Sequence, residues 1–323
     1  MKFRGVMTAI VTPMSGGSID EAGLRSLVRQ QIEGGIKGLI VCGSTGEGAT
    51  LTDDEVAYAV ALCTDEALGR VPIVAGVGAR STHGAIAQAK KGRAAGAAGL
   101  LVVTPAYNKP TQAGLEAHFR AVAAETDLPV CLYNVPGRTA VDLKVPAVAR
   151  LAEVENIVAI KEATGDLVRA MEIRRAVSDD FSLLSGDDYT VMPFMAQGGD
   201  GCVSVLSNIA PKQLVEMLDA VEFRNIARAR DLAKQLLPLI DALFVESNPT
   251  PVKTALAWLG VIPTAELRLP LVPLSTAGAE VLEAAMRGAG LTPVRGLAPE
   301  STLGPGTVPD LTGGTGTFTA VDG

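Results

Sequence analysis

A short apolar, β-rich run recurs along this chain, and most recurrences lead into a segment with helical periodicity. The runs are "GVMTAIVTP" (5–13), "GLIVCG" (38–43), "PIVAGVG" (72–78), "GLLVVTP" (99–105), "PVCLYNVP" (129–136), "IVAIKEAT" (157–164), "SLLSGDD" (182–188) and "GCVSVLSN" (201–208). Helical patterns such as Glu21–Glu33, Asp53–Leu68 and Gln112–Thr126 lie between them. Strands that alternate with helices pair in parallel, because a parallel pair needs a crossover connection. Eight such units, spaced about 25–35 residues apart, predict an α/β fold, a (β/α)8 TIM barrel over residues 1–223. A doubly wound open sheet is the competing architecture. It would carry a glycine-rich dinucleotide turn after the first strand, and neither "VTPMSGGSID" nor the later "GVGARS" has that form.

Beyond residue 223 the strand signal stops. Phe223–Phe244, Thr250–Leu259 and Ser275–Gly290 read as helices separated by proline-rich turns, a helical appendage over residues 224–295. Residues 296–323 are rich in Gly, Pro and Thr and poor in large apolar side chains. Such a segment does not offset the entropy of ordering, so it is expected to be a flexible tail. At the other end, "MKFRGVMTAIVTP" starts basic and turns apolar, but Pro13 ends the run too early for a signal core. It reads as a first strand. No later run reaches the roughly 18 uncharged apolar residues of a membrane span, so a soluble cytoplasmic protein is expected.

A net charge of −7 argues against a nucleic-acid surface, and an aromatic share of 4% argues against single-strand stacking platforms. Cys42, Cys63, Cys131 and Cys202 lack paired metal or disulfide spacing, and the three in strand-like runs, Cys42, Cys131 and Cys202, are expected to be small core residues. His83 and His118 fall in helical stretches far apart and are expected at the surface, which leaves no zinc site.

In a barrel of this type the chemistry sits at the C-terminal ends of the strands. Those ends carry "GSTGE" (43–47), "TPAYNKP" (104–110), "LYNVPGRT" (132–139), "IKEATG" (160–165) and "SGDD" (185–188). A lysine at such a place is either a salt-bridged strand terminus or an amine aimed at a substrate. With Val158 and Ile160 facing one way and Ala159 and Lys161 the other, Lys161 is expected to point into the barrel mouth. A partly dry pocket disfavours the ammonium and favours the neutral amine that attacks a carbonyl to form a Schiff base. That chemistry needs no cofactor. It does need proton carriers, and Tyr133, Tyr107 and Ser44 offer hydroxyls at neighbouring strand ends. Each read alone is half-buried packing or a turn. The turn at "GSTG", with the Thr45 hydroxyl, is suited to a carboxylate, and Arg138 to a second one.

Taken in order, "GSTGE", "YNVPGRT", "AIKEATG", "LSGDD", "NPTPVK" (248–253) and "LRLPLVPL" (267–274) resemble the dihydrodipicolinate synthases. These belong to the pyruvate-dependent class I aldolase family that includes N-acetylneuraminate lyase. The resemblance runs from about residue 3 to 292. It implies a lyase that joins pyruvate to L-aspartate 4-semialdehyde and gives 4-hydroxy-tetrahydrodipicolinate, on the route to diaminopimelate and lysine. It further implies that Lys161 forms the pyruvate imine. Tyr133 would move protons through Ser44 and through Tyr107, the latter reaching across from a neighbouring subunit. Thr45 would hold the pyruvate carboxylate, the backbone near Gly186 and at Val203 would line the pocket, and Arg138 would grip the second substrate. The implied assembly is a homotetramer built from tight dimers.

Ser44 stands where the synthases more often have threonine, and serine is common in the sugar-acid lyase branch. The alternative activity is therefore cleavage of a sugar acid such as N-acetylneuraminate. Arg138 and "GDD" favour the synthase. A barrel kept only for binding would be marked by loss of the lysine or the hydroxyls, and all are present. Aligned on the flanking motifs, the positions that hold inhibitory lysine in responsive enzymes become Asp53, Val56, Arg80, Gly84 and Ala106. That set predicts insensitivity to lysine.

Overall fold

The computed structural model describes residues 2–294, so the expected tail, residues 296–323, lies outside the described residues. The eight anticipated strands form and close into one parallel barrel. They are β1 (Gly5–Ala9), β4 (Gly38–Val41), β5 (Ile73–Val77), β6 (Gly99–Val103), β7 (Val130–Asn134), β8 (Ile157–Glu162), β9 (Ser182–Ser185) and β10 (Gly201–Ser204). The remaining two, β2 (Met14–Ser15) and β3 (Ser18–Ile19), make a separate hairpin. Each barrel strand is bonded to its neighbours in chain order, and β1 closes the ring between β4 and β10.

Alternation along the strands sorts the core into two layers. Met7, Ala9, Ile40, Val74, Leu101, Cys131, Tyr133, Ala159, Leu184 and Val203 fill the barrel interior. Val6, Leu39, Ile73, Leu100, Leu132, Ile160 and Leu183 turn outward against the helices. Both faces are buried, which is why the strands read as continuous apolar runs. The three cysteines of the strand runs are buried as expected, Cys63 is buried as well, and burial pushes the Cys42 and Cys131 thiols up to about 12.

The crossover helices start where side-chain caps allow. Asp20, Thr52, Ser81, Thr111 and Asp166 each accept a hydrogen bond from an amide of the following first turn. Thr52 and Glu55 complete a capping box, and a cap of this kind contributes about 1 kcal/mol.

After β10 the chain forms helices Pro211–Glu222, Ile226–Leu243, Thr250–Trp258 and Thr276–Gly288. All nine residues of Thr250–Trp258 are buried, so this helix is part of the core. Among the described residues, no helix is long and apolar enough to cross a membrane.

Two local expectations need correction, and a third feature was not anticipated. Val158 does not share the outward face of Ile160. Cys131 pairs with Ala159 directly after Val130 pairs with Ile157, so Val158 is an extra residue in β8 and packs on the interior cluster. Secondly, His118 is not on the surface. It is 4% exposed, with Nδ1 at 3.0 Å from Thr82 Oγ1 and its ring edge-on to Phe119, and burial lowers its pKa. His83 is exposed, as expected. Thirdly, the hairpin went unread in "MSGGSI". Gly16 and Gly17 have φ of +59° and +82°, the left-handed pair that a tight two-residue turn requires. Glu266 accepts from both of their amides, at 2.8 and 2.6 Å.

Candidate active site

Lys161 and Tyr133 are direct register partners on β8 and β7. Both side chains enter the C-terminal mouth of the barrel and are nearly buried, at 7% and 6% exposure. The lysine Nζ lies 4.1 Å from the centroid of the tyrosine ring. Among the described residues no carboxylate lies within ion-pairing distance of it. The salt-bridged strand terminus is thereby excluded. A buried, unpaired amine is costly, and such cost is tolerated where function requires it.

The next residue faces away from the mouth and is anchored. Glu162 accepts from Arg169 Nε at 2.8 Å, from Asn134 Nδ2 at 3.1 Å and from the Thr164 amide at 2.9 Å. Asp142 also pairs with Arg169, at 3.1 Å. This network holds the ends of β7 and β8 together immediately behind Tyr133 and Lys161. Gly186 supplies the surface on which the lysine stem lies. A Cβ there would sit 2.9 Å from Lys161 Cε and 2.6 Å from Ala163 Cβ. Only glycine leaves room for the stem.

After β4 the "GSTGEG" turn is held by the helix Thr250–Trp258 and by the non-helical segments before and after it. Gly48 lies so close to the Cys42 carbonyl that a Cβ would be 2.1 Å from its oxygen. Thr45 is 3% exposed and accepts from Asn248 Nδ2 at 3.0 Å. Glu47 Oε1 accepts from Lys253 Nζ at 2.6 Å, in a pair with fully buried side chains. Its Oε2 accepts from the Arg268 amide at 3.0 Å. The amides of Thr45 and Gly46 have no protein partner among the described residues, leaving donors for an anion.

Arg138 is in the short helix Pro136–Thr139 after β7. It is exposed, and its Nη2 donates to the Asn248 carbonyl at 3.4 Å. Ser44, Tyr133, Arg138 and Asn248 line one cavity of about 350 Å³. Thr45 and Lys161 are not among its lining residues but contact two of them, Thr45 bonded to Asn248 and Lys161 over the ring of Tyr133. Val203 sits in the barrel interior, paired with Met7. Tyr107 does not join the group: it is 86% exposed, with φ of +83°, and projects from the β6 loop.

Asp188 of "SGDD" accepts from the Val205 and Leu206 amides, both at 2.9 Å, and burial pushes its carboxyl above the usual range. Asn248, Glu47 and Lys253 had no role assigned from sequence. A readable signal was a lysine within the apolar segment "TPVKTALAWLG". Among the described residues, no group of three or more His, Cys, Asp or Glu is placed to hold a metal.

A model of the Dihydrodipicolinate synthetase family matches residues 2–289. A 4-hydroxy-tetrahydrodipicolinate synthase of Thiobacillus denitrificans is 50% identical over 289 residues, covering 89% of this chain and 97% of that protein. The synthase of Oleidesulfovibrio alaskensis is 47% identical, covering 90% of this chain and 100% of its own. Among solved structures, the dihydrodipicolinate synthase of Acinetobacter baumannii complexed with pyruvate is similar with a TM-score of 0.87 and 43% identity, covering 89% of this chain and 99% of that one.

Proposed function

This chain belongs to the dihydrodipicolinate synthetase family, and on that footing we propose how its site condenses pyruvate with L-aspartate 4-semialdehyde. The observation that carries the reading is Lys161, buried without a carboxylate partner among the described residues and stacked on Tyr133. Its amine attacks the pyruvate ketone, and loss of water gives an imine. Removal of a methyl proton turns that imine into an enamine, whose carbon attacks the aldehyde. The amino group of the second substrate then displaces the lysine and closes the ring, giving 4-hydroxy-tetrahydrodipicolinate.

Each step moves a proton, and Tyr133 is the hydroxyl group nearest in register to the amine. Ser44, on the same cavity wall, extends the relay. Thr45 and its neighbouring free amides take the pyruvate carboxylate, with the backbone at Gly186 and Val203 completing the pocket. Arg138, at the cavity wall, takes the carboxylate of the semialdehyde. Its planar fork matches that group.

Tyr107 is exposed in its own subunit, which supports a place in the site of a neighbouring copy. A homo-oligomer, a tetramer of paired dimers, follows from the family reading, as does a cytoplasmic location beside the other steps of lysine and diaminopimelate synthesis. The chemistry assigned to these residues calls for no cofactor.

Reduction with borohydride in the presence of pyruvate tests the reading. A reduced pyruvyl adduct is expected on Lys161 alone. Labelling elsewhere, or none on folded protein, would overturn it. Faster cleavage of N-acetylneuraminate than consumption of the semialdehyde would place the chain in the sugar-acid branch.

A further inference from the structure

Among the described residues, Asn248 is the one hydrogen-bonded to both Thr45 and Arg138, the groups assigned to the two carboxylates. Its side-chain Nδ2 donates to Thr45 Oγ1 at 3.0 Å, and its main-chain carbonyl accepts from Arg138 Nη2 at 3.4 Å. It is 6% exposed and lines the cavity. We propose that Asn248 is a positioning residue that sets the direction of the Thr45 hydroxyl proton, aiming it at the carboxylate of pyruvate. The inference rests on the functional reading above and adds to it how the carboxylate site is made donating.

A threonine hydroxyl has a single proton and two lone pairs. An amide NH2 is only a donor, so at the Asn248 contact Thr45 must accept. Its own proton is then left to donate elsewhere. Without that contact the hydroxyl is free to rotate, and it loses the arrangement that favours an anion. The amide orientation is itself argued from the network. Asn248 Oδ1 is buried without a hydrogen-bond partner among the described residues. Reversing the amide would bury an unpaired NH2, two donors instead of one acceptor, and would take the Thr45 proton away from the ligand. Arg138, in contrast, touches only the main chain of Asn248. A side-chain substitution therefore separates the two subsites.

The experiment compares Asn248→Ala, Asn248→Asp, Thr45→Val and the Thr45→Val/Asn248→Ala double variant in the full-length enzyme. Michaelis constants are measured separately for pyruvate and for aspartate semialdehyde, with borohydride trapping as a second readout. Asn248→Ala should raise the pyruvate KM about tenfold, the effect of weakening a hydrogen bond to a charged group. The semialdehyde KM should stay within about twofold. Asn248→Asp should be worse, by about 100-fold or more, because a carboxylate captures the hydroxyl proton and repels the ligand. In the Thr45→Val background, Asn248→Ala should add little.

An unchanged pyruvate KM in Asn248→Ala would overturn the proposal. So would an equal rise for both substrates, or full additivity with Thr45→Val. If Asn248→Asp does not fold, the alanine cycle decides alone. Failure of the functional reading looks different: the parent enzyme itself would form no pyruvate adduct on Lys161.

Discussion

The amine of Lys161 rests 4.1 Å above the centre of the Tyr133 ring, and the two residues are paired across adjacent parallel strands. The proposed nucleophile and proton carrier are therefore spaced by backbone hydrogen bonds rather than by loops. The aromatic face can hold the amine whether or not the ring carries a hydroxyl. This separates seating from proton transfer.

Tyr133→Phe should keep Lys161 seated and the thermal midpoint nearly unchanged. It should lower kcat by about 10²–10⁴, the usual worth of a positioned acid–base group. Steady-state kinetics with thermal unfolding checks this. A comparable loss of stability would mean that the hydroxyl is structural.

Gly186→Ala places a methyl against the Lys161 stem and Ala163. Overpacking of this kind costs about 1–3 kcal/mol, and displacing the stem should slow imine formation with pyruvate. Gly288→Ala, where nothing lies within 4 Å of the added methyl, is expected to leave turnover intact. Trapping rates for the two variants that matched would refute the steric account.

Arg138→Ala should reduce kcat/KM for the semialdehyde by at least about 30-fold, equivalent to 2 kcal/mol of lost charged contact. Borohydride trapping of pyruvate should proceed as in the parent. Loss of trapping along with turnover would show that Arg138 serves the first substrate as well.

Free lysine is expected not to inhibit. Val56 and Ala106 line an apolar stretch of the cavity, and neither offers a polar group to an amino acid. Asp53 is the one carboxylate of the set. It already accepts from Gln88 Nε2 at 3.1 Å and lies 3.9 Å from the Lys91 ammonium. Turnover measured from micromolar to millimolar lysine checks this, and saturable inhibition below millimolar would contradict it.

Acid stability should depend on Glu55. The Arg268 guanidinium holds its carboxyl down at about 2, against about 4.3 in an unfolded chain. Between those values the unfolded state binds more protons, so the contribution is complete above the unfolded value and is lost as pH falls through the folded one. Both side chains are partly exposed, which limits the effect to about 1 kcal/mol. Glu55→Gln should be less stable than the parent near neutral pH, with the gap narrowing as pH falls toward 2. Urea unfolding across that range tests it, and a gap that stayed constant down to pH 2 would refute it.

The barrel and Lys161 were legible because both rest on local pattern: apolar runs at regular spacing, and one lysine where the pattern leads into the mouth. Val158 escaped because the strand gained one residue relative to its partner, and alternation alone does not register an insertion. His118 escaped because a histidine within a helix carries no mark of which face it takes. The link from Asn248 to Thr45 spans 203 residues of sequence. Nothing local in either segment specifies a partner so distant. The lysine of "PVK" was readable as an oddity, but its partner Glu47 lies 206 residues away.

The buried pair of Glu47 and Lys253 ties the helix Thr250–Trp258 to the loop after β4. A gene cut after residue 223 would fall between two stretches that look separable. The shortened product would retain all eight strands and Lys161. It would lose the cation opposite Glu47 and the amide donor to Thr45, both of which brace the loop assigned to pyruvate. In engineering terms, the barrel is not a portable cassette. A graft onto another scaffold, or a swap with a relative, has to carry the segment from Asn248 to Arg268 along with the strand ends it supports.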